Sequence, residues 1–472
     1  MHSKDVKMED SAFFSSLLCP VFVYNCSNTM KHVSPPQILI LGFLAFILAG
    51  ALLLMTPLAT VNGISAVDAL FTATSAVCVT GLIVKDTPQD FTFFGKVVIL
   101  LLIQLGGLGY MTSATIISLV IGKKIALSER LIMKEALNVL SLEGIVKFTK
   151  VVLLVTVVIE ALGALVLTVR FLPDMGLGQA AWFGIFHAVS AFNNAGFSLF
   201  SDNLIQYRGD FVVNLVITTL IIIGGIGFLV ISDIYGYWRK HLLKVSVHTK
   251  IVLSTTAILL VAGTVLFLLF EHSNEGTLGG MALPDKVLVA YFSSVTARTA
   301  GFNTIDYASL RFETYFITML LMFVGASPGS TGGGVKITTF AVVIASLCAI
   351  MRGSGDTVMF RKRISYSAVS KSFLSITLAV LLICVVSILV LKFEHVKYLP
   401  AVFEVTSAFG TVGLSVGDGG VRSLSAQFSP FGKILVSMTM FAGRLGPLTL
   451  AVAVAKRSEA RFRYPEGKVM IG

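Results

Sequence analysis

Charge is scarce in this sequence. Only 13% of its 472 residues are Asp, Glu, Lys or Arg, where an ordinary soluble chain carries about 25%. Cysteine is equally sparse. The five present, Cys19, Cys26, Cys78, Cys348 and Cys384, form no CxxC pair. That supports neither a disulfide framework nor a zinc site, and each cysteine reads as a core or incidental residue. The seven histidines show no metal-ligand spacing. No GxxxxGKS/T motif occurs, and no soluble stretch is large enough to bind a nucleotide. The apolar stretches lack paired carboxylates, a His/Glu metal set and a nucleophile beside a base. This argues against a membrane-embedded enzyme such as a polyprenyl transferase or an intramembrane protease. The chain reads as a non-enzyme with no covalently bound cofactor.

What is abundant is apolar sequence: 55% of residues are hydrophobic and the mean hydropathy is +0.88. Long apolar segments fall near 36–57, 94–121, 148–172, 211–235, 249–270, 314–350, 373–393 and 431–455. Each suffices to cross a hydrocarbon core of about 30 Å. Between the members of each pair lies a shorter stretch, near 66–82, 181–197, 286–302 and 400–414, too short to span and suited to a re-entrant segment. Lys and Arg gather in alternate loops, near 122–150, 237–250, 352–371 and 456–472. The positive-inside rule then puts both termini in the cytosol and the short stretches on the external side of the plasma membrane. The net charge of +11 is explained by those loops, so no nucleic-acid partner is expected. Residues 1–34 show no cleavable signal peptide. They read as a cytosolic tail whose apolar patch, Ala12 to Tyr24, is too short to cross.

The four short stretches align without gaps over eight residues. They run from Ser75 to Leu82, Ser190 to Phe197, Val295 to Phe302 and Ser407 to Leu414, with a glycine seventh in each: Gly81, Gly196, Gly301 and Gly413. Successive glycines are 115, 105 and 112 residues apart (196−81, 301−196, 413−301). Repetition in one local frame points to four copies of one unit. A helix running inward and ending before each glycine presents its negative dipole end to the axis. Four such ends favour a cation. The chain then returns as an extended strand, where glycine permits a positive φ and lets carbonyls face the axis. Exposed carbonyls are tolerable in a bilayer only where they line an ion path, and rings of them replace the hydration shell of potassium. The candidate ion ligands are Val79, Thr80 and Gly81; Asn194, Ala195 and Gly196; Thr299, Ala300 and Gly301; and Thr411, Val412 and Gly413. No carboxylate occupies the glycine positions, which disfavours a calcium-type ring.

With these four loops, the chain resembles the Trk/Ktr/HKT potassium transporter superfamily over about residues 35–472, and within it the Ktr-type ion-translocating membrane subunit of bacteria. The resemblance implies an all-α integral membrane protein: eight transmembrane helices as four pseudo-repeats around one central pore, usually as a homodimer. The repeats would be 35–122, 123–236, 237–352 and 353–455, with tails at 1–34 and 456–472. Glycine rather than serine at position 81 implies potassium selectivity. The resemblance further implies a cytosolic ring of regulatory subunits binding ATP or ADP, and sodium as a possible coupling ion. The basic loops and the tail Arg461 to Gly472 offer a docking face, although the positive-inside rule alone accounts for their charge. A sodium or mixed-cation pathway and a passive subunit of a larger pump are the other transport readings.

Two features mark the inner half. The sixth span is interrupted between 325 and 336 by Gly325, Pro328, Gly329, Gly332, Gly333 and Gly334, followed by Lys336. Such a run cannot sustain a regular helix. It reads as a flexible gate below the third filter loop, as Ktr-like proteins carry, against the plainer reading of a packing kink. Arg444 lies 31 residues after Gly413 (444−413), inside the eighth span. A charge there is costly. It would face the ion path, pair with carbonyls of the broken span, or snorkel to the cytosol. Gly106-Gly107-Leu108-Gly109 and Gly224-Gly225-Ile226-Gly227 lack a βαβ context and read as close helix contacts or bends. Glu160 should find a partner in the bundle. Arg298 is placed to brace the third filter loop, and Glu404 to attract cations or to serve as a hydrogen-bond partner.

Overall fold

The structure is a computed structural model and describes residues 35–109, 145–239, 244–417 and 421–454. The tail 1–34 with its Ala12 patch, most of the basic loop near 122–150 and the tail 456–472 lie outside the described residues. Repeat 1 comprises α1 (Pro35–Leu54), α2 (Ala66–Val77) and α3 (Phe93–Leu108). Repeat 2 comprises α4 (Ile145–Phe171), α5 (Leu177–Phe192), α6 (Phe211–Ile226) and α7 (Phe228–Trp238). Repeat 3 holds α8 (Val247–Glu271), α9 (Leu283–Thr296), α10 (Phe312–Phe323) and α11 (Ile337–Met351). Repeat 4 holds α12 (Tyr366–Glu394), α13 (Tyr398–Gly410), α14 (Pro430–Leu445) and α15 (Pro447–Val454). Between α11 and α12 sits a small antiparallel hairpin, β1 (Val358–Met359) and β2 (Lys362–Arg363).

The first helix of each repeat, α1, α4, α8 or α12, is long and apolar enough to cross a membrane. These outer helices carry exposed Leu154, Val261, Leu269 and Ile388. Large apolar side chains on the outside are costly in water and favourable in lipid. The inner helices depart from the continuous spans expected of the sequence. The pairs α6–α7 and α14–α15 are bent by 94° and 93°. Each inner helix of repeats 1, 2 and 4 ends at a glycine with positive φ: Gly109 at 83°, Gly227 at 96° and Gly446 at 86°. Only glycine adopts that turn without strain. Among the described residues up to six membrane crossings are counted if each bent pair is one; with the shorter α3 and the broken α10–α11 as further inner segments, this is consistent with the eight spans expected.

A common device pins the outer helix to the start of the inner one. Glu271, the last residue of α8, accepts hydrogen bonds from Arg311 N at 2.9 Å and Thr314 Oγ1 at 2.5 Å. Glu394, the last residue of α12, accepts from Ser429 N at 2.7 Å. Arg170 near the end of α4 pairs with Asp210, the cap of α6, at 2.5 Å. In repeat 1 the cap of α3, Thr92, donates to the Leu58 carbonyl at 2.5 Å. These ties fix the span of each repeat, and so the depth of the short helix held between. Repeat 4 closes onto repeat 1 through Lys433 Nζ on Asp68 Oδ1 at 2.7 Å, with both side chains largely buried.

Candidate functional site

The four aligned loops meet. Each short helix, α2, α5, α9 or α13, ends within five residues of its glycine. Two residues before the glycine the backbone turns left-handed, at Val79 (φ 57°), Asn194 (59°), Thr299 (74°) and Thr411 (49°). The glycines follow at φ 89°, 69°, 77° and 93° for Gly81, Gly196, Gly301 and Gly413. Non-glycine residues in this region cost energy and persist only where the surroundings hold them. Here the surroundings are hydroxyls six residues upstream of the glycine: Ser75 Oγ accepts from Gly81 N at 3.0 Å and Ser407 Oγ from Gly413 N at 3.1 Å. Ser190 Oγ donates to the Phe197 carbonyl at 2.7 Å. Repeat 3 has Val295 at that position, and Thr296 replaces the hydroxyl by donating to the Phe302 carbonyl at 2.6 Å.

The packing of the glycines reveals their order. A Cβ on Gly81 would lie 2.4 Å from the Ala195 carbonyl oxygen, and one on Gly196 would lie 2.7 Å from that of Ala300. For Gly301 the neighbour is the Val412 oxygen at 2.3 Å, and for Gly413 it is the Thr80 oxygen at 2.2 Å. Each glycine therefore abuts the carbonyl that precedes the next glycine, and the fourth returns to the first. The four glycines and the residues that precede them, Thr80, Ala195, Ala300 and Val412, thus close into one ring of backbone. All four glycines line one cavity, together with residues that follow them in the chain, among them Asp86, Ser201, Asn303 and Ser415.

The inner helices approach the ring through the glycines of the GGxG runs. A Cβ on Gly106, Gly224 or Gly443 would lie 1.9, 1.8 or 1.9 Å from the carbonyl oxygen of Val77, Phe192 or Phe409, each at or beside the end of a short helix. This accounts for the close contacts expected of those runs, and the bends follow three residues later. It also identifies a copy not recognised from the sequence, Gly443-Arg444-Leu445-Gly446. Arg444 stands where repeats 1 and 2 have Gly107 and Gly225.

Residues 324–336 fold back beneath the ring. Val324 and Val335 pair across the base of the loop, with Gly325 N on the Val335 carbonyl at 2.9 Å. The loop is more firmly held than its composition suggests. Ser327 N and Thr331 N donate to the Gly225 and Gly224 carbonyls at 3.0 and 3.3 Å. Gly334 N reaches the Gly443 carbonyl at 3.2 Å, and Gly333 N reaches Thr411 Oγ1 at 3.0 Å. Lys336 Nζ bonds back to the Gly332 carbonyl at 2.8 Å. Arg444 does not snorkel: its guanidinium donates to the Thr331, Gly106 and Gly107 carbonyls. One side chain thus ties the loop to the end of α3.

The weaker expectations divide. Glu160 accepts from Gln104 Nε2 at 3.2 Å and Asn193 Nδ2 at 3.0 Å, joining repeats 1 and 2. Glu404 is fully buried and accepts from Ser415 Oγ, Ser425 N and Ser425 Oγ at 2.6, 2.9 and 2.5 Å. Its carboxylate is spent on holding the returning strand. Arg298 is buried, and its Nε has no hydrogen-bond partner. Glu404→Ala leaves three donors without an acceptor, at about 1–3 kcal/mol for each unsatisfied buried group. A lowered melting temperature in detergent is expected, and an unchanged one would contradict this role.

Above the ring, Asp86 Oδ2 accepts from Ser201 Oγ at 2.7 Å. Burial pushes the Asp86 carboxyl above the usual carboxylate range, and the Ser201 hydrogen bond opposes that shift.

Residues 11–464 match the model of the TrkH cation transport protein family. The chain is 45% identical over 440 residues to the Ktr system potassium uptake protein B of Bacillus subtilis, covering 93% of this chain and 97% of that protein. It is 39% identical to the protein of the same name from Vibrio alginolyticus, covering 93% and 95%. A potassium/sodium uptake protein, NtpJ of Enterococcus hirae, is 39% identical, covering 94% and 98%. In fold, the chain is similar to the crystal structure of the potassium transporter TrkH from Vibrio parahaemolyticus, with a TM-score of 0.70 at 19% identity, covering 90% of this chain and 86% of that one.

Proposed function

This chain belongs to the TrkH family of cation transport proteins, and from that premise we propose that it carries potassium into the cell through the ring of four filter loops. The enzyme readings fall away with the family. The observation that carries the proposal is the closed order of glycine against carbonyl, 81 to 196 to 301 to 413 and back. A ring of carbonyls at the ends of four short helices is what a dehydrating potassium ion requires. The potassium named in the relatives' titles supports the choice of ion. The test is purified protein in liposomes, with potassium and sodium fluxes measured in parallel. Potassium-selective uptake is expected; no potassium flux would end the proposal.

The finer reading adds a gate. Residues 325–336 close the path beneath the ring, with Gly325, Pro328, Gly329, Gly332, Gly333, Gly334 and Lys336 in the loop and Arg444 as its latch. A cytosolic ring subunit that binds ATP or ADP biases the loop, and the chain works as a homodimer in the plasma membrane with both termini inside. The basic cytosolic loops, including the segment near 352–371, and the tail Arg461 to Gly472 supply the docking face. Sodium acts as an accompanying ion, a reading supported by the potassium/sodium uptake named for the Enterococcus protein. Arg444→Ala removes the latch while the other loop bonds remain. A rise in potassium flux of about two- to fivefold is expected, because the shift in a gating equilibrium is limited to the free energy of the bonds removed. Wild-type flux from folded Ala protein would remove Arg444 from the gate.

A further inference from the structure

The cavity above the ring is lined by a second group of side-chain oxygens. Asp86 lines it together with the four filter glycines, Ser201 and Asn203. Asp86 is only 7% exposed, and its Oδ1 has no hydrogen-bond partner although Oδ2 is held by Ser201. A buried carboxylate oxygen without a partner is costly unless a cation or a donor completes it. Asn203 Oδ1 is likewise buried without a partner. The other end of its amide, Nδ2, lies 3.5 Å from the Gly196 carbonyl oxygen, a direct link to the filter.

The internal repeat sharpens the choice of residue. Five residues beyond each filter glycine stand Asp86, Ser201, Asp306 and Asp418 (86−81, 201−196, 306−301, 418−413). Asp418 lies outside the described residues. Asp306 spends its oxygens locally, accepting from Ala308 N at 2.9 Å and Ser309 Oγ at 3.4 Å. Among the described residues at this position, Asp86 alone keeps an unpartnered oxygen on the cavity wall.

We propose that Asp86, Ser201 and Asn203 form a loading site for a partly hydrated monovalent cation, potassium with sodium as competitor, one step before the filter. Asp86 and Asn203 supply side-chain oxygens, and the Ser201 hydroxyl fixes the Asp86 carboxylate. The surrounding charges suit exchange rather than trapping. Asp90 accepts from Asp86 N at 2.7 Å, and Lys96, in the first turn of α3, reaches back to the Pro88 carbonyl at 2.8 Å. Arg422 stands on the cavity wall. A carboxylate whose charge is balanced by nearby cations binds an ion weakly, and conduction requires that an entering ion also leave. The site rests on the pore reading, and its test separates the two.

The test is the potassium dependence of uptake in a transport-deficient cell, repeated with purified protein in liposomes. Asp86→Asn is expected to raise the half-saturating potassium concentration by about three- to tenfold, more than it lowers maximal flux, since the site acts on ion capture. Asp86→Glu should restore most of the affinity. Asn203→Gly keeps the positive φ of that position, 58°, and deletes Oδ1. It should move half-saturation in the same direction by a smaller factor, which keeps the proposal testable if the Asp86 variant does not fold. An unchanged half-saturation in either folded variant, or a loss of maximal flux alone, would overturn the loading site while leaving the pore intact. Absence of potassium flux in the wild type would instead strike the pore reading.

Discussion

Serine in place of Gly81 is expected to cut potassium-over-sodium discrimination by about tenfold or more. The new Cβ would sit 2.4 Å from the Ala195 carbonyl oxygen, and the backbone stands at φ 89°. Holding a non-glycine residue there costs about 1–3 kcal/mol, and about 1.4 kcal/mol is already a tenfold change in an equilibrium. The ring has to open or rotate a carbonyl, and either change spoils the match to a dehydrated potassium ion. The same substitution at the other glycines should not act equally. Gly413 and Gly301 have carbonyl neighbours at 2.2 and 2.3 Å, whereas Gly196 has 2.7 Å and the lowest φ, 69°. Gly196→Ser should therefore be the mildest of the four. Paired potassium and sodium uptake, each variant against wild type, measures the series. Equal, wild-type selectivity in all four would take the loops out of the ion path.

The ring was legible in the sequence because it is written four times in one local frame, and a repeated frame needs no knowledge of distant contacts. The short helices before Gly81, Gly196, Gly301 and Gly413 form where they were expected, as does the break in the sixth span. Its order was not legible, since which carbonyl each glycine meets depends on how four chain segments more than a hundred residues apart close on one another. The hydroxyls at Ser75, Ser190 and Ser407 were within the aligned frames, but repeat 3 moves the hydroxyl one position to Thr296 and blurs the pattern. Arg444 could be singled out as a charge within a span, yet its three carbonyl partners come from α3 and the broken span. The bend at Gly446 was hidden for a related reason: Arg444 interrupts the GGxG pattern that Gly109 and Gly227 share. Asp86 lay beyond the aligned eight residues, five positions after Gly81. Its unpartnered oxygen is a property of packing that no spacing records.

Removing Ser327 to Gly332 should open the path. The deletion takes out the donors that reach the Gly224 and Gly225 carbonyls, and the Thr331 carbonyl that Arg444 holds. The ends of the cut are already close, because Val324 and Val335 pair across the base of the loop and Gly325 N bonds to the Val335 carbonyl. Rejoining Ala326 to Gly333 therefore asks little of α10 and α11. Gly333 and Gly334 remain to contact Thr411 and the Gly443 carbonyl, so the fourth filter loop keeps that support. A gate whose open state is a minor population of about 0.1–10% gains tenfold or more in flux when the closed arrangement is lost. An increase of about tenfold is the expected result, with potassium-over-sodium discrimination retained because the ring lies elsewhere. Control by a cytosolic partner should fall in parallel, since a partner acts only through an element that has two arrangements. Flux in liposomes, with and without the partner and on protein that elutes as a single folded species, distinguishes the outcomes. Normal and fully regulated flux from the shortened protein would make the break a packing kink, and the loop's hydrogen bonds to repeats 2 and 4 would then be structural ties of the same kind as Glu160 to Gln104 and Asn193.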